Sequence, residues 1–169
     1  MQPTQDLFLK LRNHGEVRKI LDSFAAGADL SWFDRAAAGV CKRWFRLGQH
    51  HLQIAKRLNM SPRDWRSIVS RSYYAAYNAS KCVRYFVNGS VKLDADDHKH
   101  VGDLPEDFPQ RAEWSTFLVE LRHDRNLADY EPWDHVRKAL SCSASTAVDR
   151  TAEFLQQSKH YLRGRGVPL

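Results

Sequence analysis

The stretch SPRDWRSIVSRSYYAAYNASKCVRYFVNG, residues 61–89, decides the fold class. Trp65, Ile68, Val69, Ser72, Tyr73, Ala76, Ser80, Val83 and Val87 recur every three or four positions, the period of one helix face. Ser61 is the expected cap, Pro62 suits the first helical position and Asp64 the first turn. Asn88-Gly89 supplies the stop, because glycine takes the left-handed conformation that ends helices. Ala75, Ala76 and Ala79 would let a neighbouring helix approach closely. One long helix with an apolar face needs partners.

The flanking sequence supplies them. Upstream, SWFD suggests a helix opened by a capping box between Ser31 and Asp34. Its stripe is Phe33, Ala37, Val40, Trp44, Leu47, His51, Ile54 and Leu58. A short lead-in with Val17, Ile20, Leu21 and Phe24 precedes it and stops at Gly27. Downstream, residues 88–109 are polar and punctuated, and read as a loop with one short turn. A third long helix starts near Gln110 and ends before Pro132. A fourth is expected over residues 133–163, carrying Val136, Leu140, Ala147, Thr151, Phe154 and Tyr161. No segment alternates at period two. The expected fold is all-α, an antiparallel up-down bundle of four long helices with a helical lead-in. The whole chain, residues 1–169, forms one domain: lead-in 1–30, bundle 31–163 and a frayed tail 164–169.

Composition agrees. At 169 residues, 43% of them hydrophobic, the chain can bury a core without covalent staples. No apolar run approaches the roughly 20 residues that span a bilayer, and the start, MQPTQDLFLK, lacks the layout of a secretory signal. Cys41, Cys82 and Cys142 are isolated, which suggests packed, reduced thiols and a cytoplasmic setting. The net charge of +6 suits an RNA or nucleotide partner, although scattered basic residues also describe an ordinary surface.

The third helix carries an anomaly: LRHDRNLADY, residues 121–130. At about 100° per residue, Trp114, Phe117, Leu118, Leu121 and Ala128 share a stripe, and Arg125 falls near its centre. Arg122 and Asp129 sit on the shoulder and Asn126 further round, while His123 points away. An arginine there keeps its proton and needs partners, and a buried unpaired charge costs several kcal/mol. Asp129 lies one turn on, in the order that supports a helix less well. Arg125 and Asp129 are therefore either a polar knot joining helices or the lining of a cleft for an anion. Arg71, His98 and His100 offer further polar groups.

SRSYYAAYNASKCV on one helix, a histidine-bearing loop and LRHDRNLADY on the next resemble the HEPN domain. The likeness is to its small stand-alone branch, with motifs similar to S-R-x-Y-Y-A and R-x-x-A-D-Y, and covers residues 31–163. It implies a helical bundle, usually a homodimer, with the arginine motif in a cleft near the dimer axis. Many such domains are metal-independent ribonucleases using R-x(4–6)-H, in which arginine stabilises phosphate charge and histidine moves the proton. Carried over, Arg125 and Asn126 match the start of that motif and Asp129 its polar position. The histidine is missing: Tyr130, Glu131 and Pro132 occupy its window.

A free tyrosine, with a pKa near 10, is a poor base but can stack on a nucleobase. His100, from the loop, is the expected surrogate, and His135 the weaker one. The resemblance thus implies a catalytic set of Arg125, Asp129, Tyr130 and His100, with RNA or nucleotide contacts from Arg125, Asn126, Arg122 and Arg71. It also implies a toxin–antitoxin or defence setting with a nucleotidyltransferase-like partner protein. No cofactor is expected. DADDHKH could offer His98, His100 and an aspartate to a divalent ion, but a solvated loop accounts for it better. Phosphate-loop, dinucleotide and H-E-x-x-H motifs are absent. Lys42, Arg43, Arg46, Arg63 and Arg66 would extend an RNA path or simply lie in solvent.

Overall fold

The computed structural model describes residues 11, 13–24, 27–61, 63–92 and 94–169. Pro62 and the segment MQPTQDLFLK lie outside them. Among the described residues the chain is all-helical: α1 (His14–Phe24), α2 (Ser31–Asn59), α3 (Trp65–Asn88), α4 (Arg111–Tyr130) and α5 (Ala144–Arg163). Short 3-10 turns, Ala95–His100 and Asp134–Ala139, flank α4. No described helix is long and apolar enough to cross a membrane.

α3 is the axis of this helical bundle and packs against α2, α4 and α5. From Tyr73 to Tyr85 every residue but Tyr74 is buried, so the helix is enclosed on all sides rather than along one stripe. Polar residues on such a helix must find partners. Ser80 Oγ donates to Val101 O at 2.5 Å and Asn78 Nδ2 to Tyr74 O at 2.7 Å. The small residues act as expected: a Cβ at Gly48 of α2 would stand 2.9 Å from Ala75 O, so only glycine permits that approach. Nearby, Cys41 Sγ donates to Cys82 O at 3.3 Å and Cys82 Sγ to Cys41 O at 3.4 Å, a reciprocal pair at the α2–α3 seam. Both thiols are free and fully buried.

Helix ends depart from expectation wherever another carboxylate is better placed. Asp64, not Ser61, caps α3, accepting from Ser67 N at 3.1 Å. Ser31 lies inside α2 and makes no capping box; Asp29 receives its N–H and hydroxyl. Asp34 instead accepts from Arg18 Nε at 3.0 Å, tying α1 to α2. The expected fourth helix is broken in two. Asp124, fully buried, accepts from Ser141 N at 2.9 Å and Ser141 Oγ at 3.0 Å, replacing the helical bond at that turn. Ser143 then caps α5 by accepting from Thr146 N. The loop contains its one short turn, Ala95–His100.

Exposure corrects the stripes. Leu47, Ile20 and Phe24 face outward, whereas Val17 and Leu21 rest on the core. The tail is not frayed: Gly166, at φ 85°, turns it back, Val167 is buried and Leu169 packs on the core. The lead-in is latched too. Gly15 N donates to Gly89 O at 2.9 Å, and a Cβ on Gly89 (φ 74°) would fall 2.7 Å from Gly15 Cα.

Candidate functional site: an arginine among tyrosines

α4 presents Trp114, Phe117, Leu118 and Leu121 to the core, and the next turn of that face delivers Arg125 between α4 and α3. Its side chain is 16% exposed. Nη2 donates to Tyr74 OH at 2.6 Å and Nη1 to Asn126 Oδ1 at 3.1 Å. Nε lies 2.8 Å from Asp129 Oδ2 but does not aim its hydrogen along that line, so the contact is an ion pair and not a hydrogen bond. Ser70 Oγ of α3 donates to the same carboxylate oxygen at 3.4 Å. The guanidinium carbon lies 5.8, 5.3 and 5.1 Å from the ring centres of Tyr73, Tyr74 and Tyr130. Burial works against this charge, but the hydrogen bond to Tyr74 and the nearness of Tyr74, Asp129 and Tyr130 outweigh it and raise the pKa. Two Nη hydrogens remain after these contacts.

Tyr73 and Tyr74 come from the motif on α3, so the two stretches singled out in the sequence meet. Arg71, exposed, places Nη1 3.4 Å from His51 Nδ1, and His51 lies 5.6 Å from Tyr74, ring centre to ring centre. His51 is half-buried; burial, then Arg71 and His50, lower its pKa. Arg122 is half-buried and close enough to act electrostatically on Tyr73. Tyr130 is 68% exposed and offers a free ring face.

His100 is not brought to this site. Its Nδ1 lies 2.7 Å from Asp103 Oδ2, and it lines a separate recess with Arg84, Lys92 and Asp97. The histidine beside Arg125 is His98. Its Nδ1 is 2.6 Å from Tyr73 OH, its ring stacks on Tyr77 at 4.1 Å and meets Tyr74 edge-on at 6.2 Å. The turn that carries it is held by buried charge. Asp97 accepts from Arg84 Nη1 and Nη2 at 3.1 and 2.9 Å and from Tyr77 OH at 2.9 Å, with Lys81 Nζ 3.5 Å away. Burial would raise the Asp97 pKa, but the Arg84 hydrogen bonds and charge more than reverse it.

Sequence reasoning missed this clamp. Its signal was Tyr73, Tyr77, Lys81 and Arg84, spaced by four, four and three on one face of a helix otherwise rich in alanine. Arg66 is also spoken for. Its guanidinium donates to Ala128 O at 2.8 Å, Glu131 O at 2.6 Å and Trp133 O at 3.2 Å, closing the C-terminal end of α4. It therefore contributes to the rigidity of the segment carrying Tyr130 rather than to an RNA path. Among the described residues no three His, Cys, Asp or Glu side chains gather to hold a metal ion.

No family model, curated protein or solved structure matches this chain.

Proposed function

We propose that this is an HEPN-like protein that binds RNA or a nucleotide, with Arg125 as the phosphate-contacting residue. The observation that carries this reading is the guanidinium itself: largely enclosed, oriented by Tyr74, Asn126 and Asp129, yet left with two unused donors. Arg71 and Arg122 add positive charge around a single acidic partner, and Tyr130 offers an exposed ring for stacking on a base. The resemblance adds the rest: an antiparallel four-helix homodimer in the cytoplasm, within a toxin–antitoxin or defence system, accompanied by a nucleotidyltransferase-like protein.

One observation favours a second reading. His98 shares Tyr73 and Tyr74 with Arg125, so a histidine stands beside the arginine although none occupies the motif window. On that reading the protein is a metal-independent endoribonuclease. A third role, a silent dimerisation module for the partner protein, needs no ligand.

Incubation of wild type and Arg125→Ala with total RNA in chelator, alongside salt-dependent binding, separates them. Salt-sensitive binding without cleavage, reduced at least tenfold in Arg125→Ala and with a shallower salt slope, is the expected result. Chelator-resistant cleavage lost in the variant would establish the ribonuclease. Absence of any RNA or nucleotide binding by the wild type would leave only the module.

A further inference from the structure

His98 is half-buried, and its two ring nitrogens differ. Nδ1 is occupied by Tyr73 OH at 2.6 Å, whereas Nε2 makes no hydrogen bond among the described residues. Tyr73 is itself buried, and burial, the largest influence on its phenol, holds it in the protonated form. Its hydroxyl has no other partner among the described residues, an arrangement that favours donation to Nδ1 and the tautomer with the imidazole proton on Nε2. The ring cannot swing away: it is stacked on Tyr77, and its backbone belongs to the turn pinned by Asp97, Arg84 and Lys81. A fixed imidazole therefore presents one N–H donor next to a guanidinium with two spare donors, both bordered by Tyr73 and Tyr74.

We infer that His98 is the second phosphate-contacting group of the Arg125 site, donating from Nε2 to one oxygen of a phosphodiester while Arg125 takes another. The inference deepens the RNA-binding reading and rests on it. It makes binding depend on pH in a way that Arg125 alone cannot. Free His98 is kept neutral by burial first and then by Arg125. The charged and titratable groups around it are Arg122 and Arg125 from α4, Tyr73, Tyr74, Tyr77, Lys81 and Arg84 from α3, and Asp97 in its own turn. Beyond these stands Asp129, paired with Arg125; cations outnumber the carboxylates, and the negative charge of a bound phosphodiester offsets part of that excess, which favours the protonated ring. On protonation Nδ1–H donates to Tyr73 OH, whose oxygen can accept as well as donate, so the charged ring keeps both partners.

The test uses the full chain and a single-stranded oligouridylate, whose phosphodiesters and bases do not titrate between about pH 5.5 and about pH 8. At constant ionic strength, affinity should rise by up to about tenfold as pH is lowered across that range and a proton is taken up, the equivalent of a one-unit pKa rise on binding. His98→Gln, which keeps an N–H near Nε2 but cannot titrate, should bind with a flatter pH slope. His98→Ala should lose affinity at all pH values. In the wild type, the His98 ring resonances should shift on adding the oligonucleotide, a readout that needs no variant.

Arg125-dependent binding with an identical pH slope in wild type and His98→Gln, and unmoved His98 resonances, would overturn this inference and leave the RNA-binding reading standing. Binding that is absent, or unaffected by Arg125→Ala, would remove both.

Discussion

At the scale of single residues, the anomaly in the sequence was genuine but incomplete. Arg125 could be recognised because it stands where a leucine belongs, and its pairing with Asp129 follows from helical spacing alone. Its tyrosine partners could not, since Tyr74 sits 51 residues away, beside Tyr73, and only the fold joins them to it. The choice between His98 and His100 was equally hidden. Two residues apart on a 3-10 turn, side chains point about 120° apart, and which one meets α3 depends on a clamp formed by Asp97. Buried histidine also contributes to the acid sensitivity of the fold. His14 Nε2 lies 2.6 Å from Tyr85 O, and burial lowers its pKa more than that bond and Asp34 raise it. A base whose folded pKa lies below its unfolded value contributes full stability above the unfolded pKa, about 6.5, and loses it as pH falls below that point. Melting temperature should therefore drop on acidification, and the drop should be smaller in His14→Gln, as followed by circular dichroism at several pH values.

At the scale of elements, what the sequence expressed well was periodicity. Four of the helices were legible from apolar spacing and from the stops at Gly89 and Pro132, because those signals are local. Two helix starts were misjudged because capping serines lost to nearby aspartates, Ser61 to Asp64 and Ser31 to Asp29, and the last because a distant carboxylate breaks the helix. Asp124 is the sharpest example, a buried carboxylate that interrupts an otherwise continuous helical pattern at Ser141. A close helix approach to α3 was anticipated from the alanines; α2 is the helix that makes it, through Gly48, and the contact can be tested. Gly48→Ala places a methyl 2.9 Å from Ala75 O, a backbone atom with nowhere to go. The expected cost is about 1–3 kcal/mol, seen as a lower denaturant midpoint with an unchanged slope.

At the scale of the whole molecule, α3 unites stability and site. The helix that three others enclose is the one that supplies Tyr73 and Tyr74 to Arg125 and Arg84 to Asp97. The first described helix is fastened to this assembly by Gly15 against Gly89, and the tail by Val167 in the core. The enclosure of α3 has a consequence at the crossing of Cys41 and Cys82. Thiols that donate to each other's carbonyls in a dry seam, with burial holding the Cys82 proton on, cannot meet an alkylating reagent unless α2 and α3 part. Labelled in native buffer and read by mass spectrometry, Cys142, half-buried outside that seam, should be modified first. The delay before the other two react would then report how rarely the seam opens, and its shortening in Gly48→Ala would locate that opening at the α2–α3 contact.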